Sequence, residues 1–250
     1  MILERMSTTL INPSKQNLIP QITVDCVIFG YENQKLKVLI PKINFKGDFW
    51  ALPSGFVNQE DDIDEAARKV LQFRTGIDDI YLEQFSVFGK ASRNHTAFLD
   101  KLLELNEDIL KSSESNREEY LWFTKRFIAI GYYALVDIAK VSPQKSDIDQ
   151  AIEWHDIHAL PTMILDHQEI VAEALETLRG HINEKINAFN LLPETFTMRE
   201  VQDVYEAVCG RTYVRTNFQK MILELNVLER LEKKYTGAAN KAPYLYKFKK

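Results

Sequence analysis

The stretch GFVNQEDDIDEAARKVLQFRTGI, residues 55–77, decides how the rest of the chain is read. Ile63, Ala66, Ala67, Val70 and Leu71 fall at i, i+3, i+4, i+7 and i+8, one apolar stripe on a helix. Asp61 and Asp62 stand before it, where acids meet the positive end of the helix dipole. Gly76 follows as a C-terminal stop. Ahead of the helix, the apolar run from Phe49 and Trp50 to Val57 ends at a glycine turn around Gly55. Residues 22–29 and 36–40 are β-branched and flank a polar turn, which predicts a hairpin. Downstream the pattern predicts a strand from Tyr81 to Phe88 and a charged helix over 96–111. A buried strand over 127–136 and a short strand from Ala151 come next. A long helix opens at Asp166 or His167 and runs to about Phe189, and Pro193 breaks the chain.

The last segment has a different rhythm. Thr197 with Glu200 three residues on is a capping box, opening a helix to about Val208 that Gly210 stops. A second helix spans about 214–225, with Val214, Phe218, Met221, Ile222 and Leu225 facing inward. Residues 227–231 and 244–248 then read as a hairpin. Helix, turn, helix and hairpin outline a winged helix-turn-helix.

Charge follows the same division. The 250 residues carry a formal −5, which by itself suggests no nucleic-acid partner. Yet 197–250 hold 11 Lys and Arg against 6 Asp and Glu, a local +5, leaving −10 on 1–196. An acidic body with a basic tail points to a polyanion partner for the tail. Two cysteines, Cys26 and Cys209, are too few for a disulfide framework or an all-cysteine zinc site, and both read as buried structural thiols. No stretch is long and apolar enough for a membrane span, and the first ten residues lack a signal-peptide layout, so a cytoplasmic protein is expected.

The 55–77 segment resembles the Nudix box, G-x5-E-x7-R-E-U-x-E-E-x-G-U. Gly55, Asp61, Gly76 and Ile77 match its frame, and Trp50, Leu52, Pro53 and Gly55 match its lead-in. The resemblance implies a Nudix α/β/α sandwich-like domain over 21–165, after an arm at 1–20. In the active family the box glutamates hold Mg²⁺ or Mn²⁺ against a diphosphate. Here Val70, Phe73 and Arg74 replace them, and an apolar surface with one guanidinium does not bind a hard cation. The box is therefore read as a fold signature without catalysis, metal or cofactor, and the domain as a sensor. Asp61, Asp62, Asp64 and Glu65 belong to the helix start.

A Nudix-like domain joined by a helix at 166–192 to a winged helix at 193–250 resembles the bacterial Nudix-related transcription regulators, the NAD-metabolism repressors and arabinose regulators. Tyr132-Tyr133-Ala134-Leu135, Leu160-Pro161, Asn190-Leu191-Leu192-Pro193, Asn217-Phe218 and Tyr244-Leu245-Tyr246 carry the likeness. The overall class is α+β. The resemblance implies a homodimer that binds double-stranded operator DNA and responds to a small effector, a sugar or an ADP-ribose-like molecule.

For DNA, the start of the second helix presents Thr212, Tyr213, Arg215, Thr216, Asn217 and Lys220; arginine and asparagine read guanine and adenine bidentately. Lys233, Lys234 and Lys241, on or near the wing, suit phosphates. For the effector, Phe49 and Trp50 stack on a ligand ring or pack in the core. Gly55 marks the turn. Arg93 and Arg126 clamp a phosphate or hydroxyl, or form surface ion pairs. Asp166 and His167 line the pocket or cap their helix. His155 and His158 flank Asp156 on what reads as a loop, with no fixed metal geometry. The departure from the family is an insertion at 94–125, either a pocket lid or a dimer contact. Two rivals stand beside the regulator: a Nudix hydrolase of a nucleoside diphosphate derivative with an appended interaction domain, and a ligand-binding scaffold that touches protein.

Overall fold

A computed structural model describes residues 17–93, 96–106, 121–182, 190–234 and 242–249. The first part is built on a six-stranded sheet of β1 (Leu18–Glu32), β2 (Lys35–Ile43), β3 (Ser54–Asn58), β4 (Tyr81–Phe88), β5 (Ile128–Val136) and β6 (Asp149–Asp156). Its order is β4-β5-β1-β2-β6, with β3 added to β1. β1 pairs parallel with β5, and its other pairings, with β2 and β3, are antiparallel. Helix α1 (Ile63–Thr75) covers one face, and α3 (His167–His181) covers the other. Between β4 and β5 the chain forms α2 (Thr96–Leu105). The C-terminal part comprises β7 (Phe196–Thr197), α4 (Met198–Cys209), α5 (Arg215–Glu224), β8 (Leu228–Lys233) and β9 (Tyr244–Phe248), its strands ordered β7-β9-β8.

β1 explains why both faces can be buried. Val24, Cys26 and Ile28 point into a cluster with Ala66, Ala67 and Leu71 of α1, and Val27 and Phe29 point into the opposite cluster. This is the period-two alternation of a strand. The 15-residue length exceeds the expected 22–29 because its ends pair with β3 and the β2 turn. Gly76 ends α1 at φ 72°, a left-handed cap that glycine adopts without strain.

The second cluster extends beyond the sheet and α3. Val27, Phe29, Leu36, Val38, Tyr133 and Leu135 share it with Ile170, Ala174 and Leu178 of α3. The same cluster takes in Val201, Val204, Tyr205 and Val208 of α4. The sheet, the connecting helix and the winged helix thus pack on one apolar mass.

Several sequence expectations shift. Gly55 lies inside β3, not in a turn, and a Cβ there would sit 2.5 Å from Val70 Cγ2, so the glycine lets α1 close on the strand. His155 and Asp156 end β6 and are not on a loop, and the His155 ring packs edge-on against Trp50 at 4.6 Å. Val214 is 66% exposed, because it is the extended N-cap residue of α5 and projects outside the helical stripe. Cys26 is buried as expected, and Cys209 is half-buried. The parts of the expected helices over 107–111 and 183–189, and Lys241, lie outside the described residues.

Leu178 is fully buried at the centre of the shared cluster. Leu178→Ala is expected to cost about 2–5 kcal/mol. In urea, near-UV signals from either part should still report one transition; two separated transitions would show that the parts do not share a core.

Candidate functional site

Helix α1 brings the residues of the altered box to the sheet edge. Val70 closes over Gly55, Phe73 is 47% exposed, and Arg74 turns inward. The Arg74 guanidinium hydrogen-bonds the Asp149 carboxylate and reaches the Gln144 carbonyl at 3.3 Å and Ser146 Oγ at 3.5 Å. Asp149 also accepts from the Ser146 backbone N–H at 2.6 Å and its hydroxyl at 2.7 Å. A closed ion pair therefore stands beside Val70 in the altered box. Asp149 was not singled out from the sequence, because its partner lies 75 residues away.

Beside this pair opens a cavity of about 490 Å³. Its walls are mostly apolar: Pro41, Ile43, Phe45, Phe56, Phe98, Leu99, Leu102, Phe123, Phe127 and Ile164 line it. The inserted segment thus supplies part of the wall through α2. Asn106 fastens the end of that helix. Its side-chain oxygen accepts from the Lys46 N–H at 2.9 Å, and its amide donates to the carbonyls of Lys46 and Leu102 at 3.0 and 2.8 Å.

One end of the cavity is polar. Arg93 donates to both Asp166 oxygens, at 2.7 and 3.0 Å, and to the Phe127 carbonyl at 3.1 Å. Burial alone would raise the Asp166 carboxyl, but the Arg93 hydrogen bonds and charge hold it below the usual range. His167 Nδ1 accepts from the Leu52 N–H at 2.8 Å, which puts its proton on Nε2. Burial lowers the His167 pKa against the smaller pull of Asp25 and Asp166, so the ring is neutral. Asp25, only 2% exposed, lies on the α3 side of β1 with Arg93 3.5 Å and His167 4.0 Å away. Its Oδ2 has no hydrogen-bond partner among the described residues.

Of the effector candidates, Gly55, Arg93 and His167 line this cavity. Asp166 stands behind Arg93, facing a second cleft. Phe49 and Trp50 are buried one layer back: Phe49 supports Phe98 at 5.5 Å, and Trp50 bridges the chain at Lys42 and Met163. Arg126 is exposed and off the wall. Asp25 was missed because it sits in an otherwise apolar strand and shows no spacing to its partners.

In the C-terminal part, Phe218 and Ile222 anchor α5 against α4, with Phe218 edge-on to Tyr205 at 5.2 Å. Arg211, Thr212, Arg215, Thr216, Asn217, Gln219 and Lys220 are exposed. Tyr213 is half-buried, and its N–H donates to the Glu206 carboxylate at 2.8 Å. It is thus a structural anchor of the turn, with Arg211 stacked on its ring at 5.0 Å. On the wing, Lys233 lies 5.5 Å from the Tyr244 ring, and Arg230 lies 4.6 Å from the same ring. Lys234 pairs with Glu200 at 3.4 Å.

Residues 188–248 match the NrtR DNA-binding winged helix domain. The rest of the chain adds a Nudix fold ahead of that winged helix. The chain is 27% identical over 237 residues to the ADPR responsive transcriptional repressor NtrR of Acinetobacter baylyi, covering 92% of this chain and 82% of that protein. Its fold is similar to Shewanella oneidensis NrtR complexed with a 27mer DNA, with a TM-score of 0.67, 22% identity, and 92% and 94% of the two chains covered. It is also similar to a MutT/nudix family protein from Enterococcus faecalis, with a TM-score of 0.65, 18% identity, and 100% and 94% covered.

Two outcomes follow from this geometry. Arg74→Met or Asp149→Asn alone strands a buried polar or charged group and should cost about 3–5 kcal/mol in denaturant titration, and Arg74→Met with Asp149→Leu should recover most of it. His167 binds its proton less readily folded than unfolded, so its contribution to stability is lost as pH falls below the ordinary value of 6.5. His167→Asn keeps an acceptor for Leu52, and its unfolding free energy should depend less steeply on pH in that range than the wild type's.

Proposed function

We propose that the protein regulates transcription by binding double-stranded operator DNA through α5 and the wing, and that its Nudix-fold domain senses a small metabolite without hydrolysing it. The observation that carries the reading is the surface of α5. Phe218 and Ile222 lock its inner side, and Arg215, Thr216 and Asn217 stand exposed at its first turn, where a recognition helix meets base edges. The match of 188–248 to a DNA-binding winged helix supports it, as does the repressor function of the Acinetobacter relative. In a dimer, two such helices would face half-sites about one DNA turn apart.

The sensing reading rests on the box. The three positions that carry carboxylates in Nudix hydrolases hold Val70, Phe73 and a neutralised Arg74, which offer no oxygen to a hard cation. The resemblance suggests a sugar or ADP-ribose-like effector, and the relative's name is ADPR responsive. Helix α3 is the route between the sites. Asp166 and His167 at its start belong to the cavity end, and Arg179 near its finish donates to the Val208 carbonyl of α4 at 2.8 Å. An effector shifts DNA affinity to the extent that it binds two placements of this helix differently. The cytoplasm is the compartment this function requires.

Arg215→Ala and Asn217→Ala are each expected to weaken operator binding about 5- to 150-fold in a gel shift, the loss of one good bidentate base contact. Lys220→Ala should lower the salt dependence by about one phosphate contact. Unchanged binding in all three would place the recognition surface elsewhere. Mg²⁺-dependent hydrolysis of a nucleoside diphosphate derivative that disappears with Asp61→Asn or Glu65→Gln would overturn the sensor reading.

A further inference from the structure

The basic tail does not leave all its charges open to a partner. Lys220 pairs with Glu224 at 3.8 Å, Lys234 with Glu200 at 3.4 Å, Lys247 with Glu229 at 3.2 Å and Arg199 with Asp203 at 2.7 Å. Two cations of the wing depart from this pattern. Arg230 and Lys233 of β8 make no side-chain ion pair or hydrogen bond among the described residues. Both lie instead over one ring, that of Tyr244 on β9, at 4.6 and 5.5 Å from its centroid. Two like charges on one ring, with no carboxylate partner, repel each other and leave a focus of positive potential that a polyanion relieves.

Strand alternation puts Tyr244 in this place. Tyr246, two residues on, is 6% exposed and belongs to the cluster under α4 and α5. Tyr244 shares its face but lies outside that cluster and is 38% exposed. Arg230 stands opposite Tyr246 in the register, yet its guanidinium reaches Tyr244, so the side chain leans toward the outer end of the hairpin. A guanidinium stacked on a ring engages only its face and keeps its in-plane N–H donors for another partner. The brace also removes side-chain freedom that binding would otherwise cost.

We propose that Arg230 is a specificity-determining DNA contact, entering the minor groove beside the major-groove site of α5, and that Tyr244 is the positioning residue that aims it. This rests on the reading of α5 as the recognition helix. Three residues separate Glu224 at the end of α5 from Leu228 at the start of β8, so the wing adjoins the helix. With α5 in the major groove, the surface next to it is backbone and minor groove. That groove is about 6 Å wide, which admits a flat guanidinium and excludes a hairpin. It is narrowest and most negative along A·T runs, and G·C pairs place an amino group in it. Lys233 adds a phosphate contact at the groove's edge. The outcome is a preference for A·T pairs flanking each half-site, at positions α5 does not touch.

The test uses the full-length protein and a duplex that it selects from a randomised pool, with the flank of the half-site rebuilt as an A·T, a G·C or an inosine·cytosine run. Inosine·cytosine keeps the major-groove edge of G·C and removes its minor-groove amino group. The wild type should bind the A·T and inosine·cytosine flanks about fivefold or more tightly than the G·C flank. Arg230→Ala should bind all three alike. Arg230→Lys should keep the salt dependence and lose the preference, because an ammonium is the more strongly hydrated cation. Tyr244→Phe should keep the preference. Tyr244→Ala should lose it while binding the G·C flank at the wild-type level, a split that misfolding of the wing would not give. If an alanine variant fails to fold, Arg230→Lys decides. Equal binding of the three flanks by the wild type, a preference for A·T that inosine·cytosine does not share, or a preference unchanged in Arg230→Ala or Arg230→Lys would overturn the proposal. Selection of a duplex tests the regulator reading by itself. A protein that selects one and ignores its flanks keeps that reading and loses this one, and a protein that selects none loses both.

Discussion

Arg93 joins three segments that are far apart in the chain. Its guanidinium holds both oxygens of Asp166 at the head of α3, the Phe127 carbonyl at the entry to β5, and lies 3.5 Å from Asp25 on β1. Five N–H donors in a fixed plane allow one side chain to set the relative position of β1, α3 and the entry to β5 at once. A lysine, with a single compact charge on a flexible stem, would not impose that geometry. The polar end of the cavity and the start of the connecting helix both follow from this contact.

The consequence reaches beyond the cavity because α3 is packed along its whole length. Ile170, Ala174 and Leu178 lie in the same apolar cluster as the β1 and β5 side chains and as Val204 and Tyr205 of the winged helix. At its far end the Tyr205 hydroxyl donates to the Ile182 carbonyl at 3.2 Å, and Arg179 donates to Val208. Close-packed interiors move by discrete repacking rather than by smooth deformation. A helix anchored by an ion pair at one end and by backbone carbonyls at the other is suited to such a step.

The altered Nudix box has a structural logic of its own. Its frame is retained: Gly55 permits close approach of α1, and Gly76 ends that helix in a left-handed cap. Two positions where the box pattern has glutamate take part in packing. Val70 covers Gly55, and Arg74 joins Asp149 in a buried pair. The wall these residues form is apolar at Val70 and closed by an ion pair at Arg74.

Local signals in the chain foretold most elements. The apolar stripe of α1, the alternation of β1, the Thr197 and Glu200 capping box and the glycine stops at 76 and 210 are short-range features, set by steric and hydrogen-bonding preferences within a few residues. They established the order of elements and the basic character of the tail. Tertiary structure alone decided the site. Asp25 with Arg93, Arg74 with Asp149, and Lys46 with Asn106 are meetings across 60 residues or more. It also turned Phe49 and Trp50 into supports behind the wall and left Arg126 outside it. Side-chain pairing over such distances depends on which faces the sheet and helices bury against each other, and a linear pattern does not contain that information.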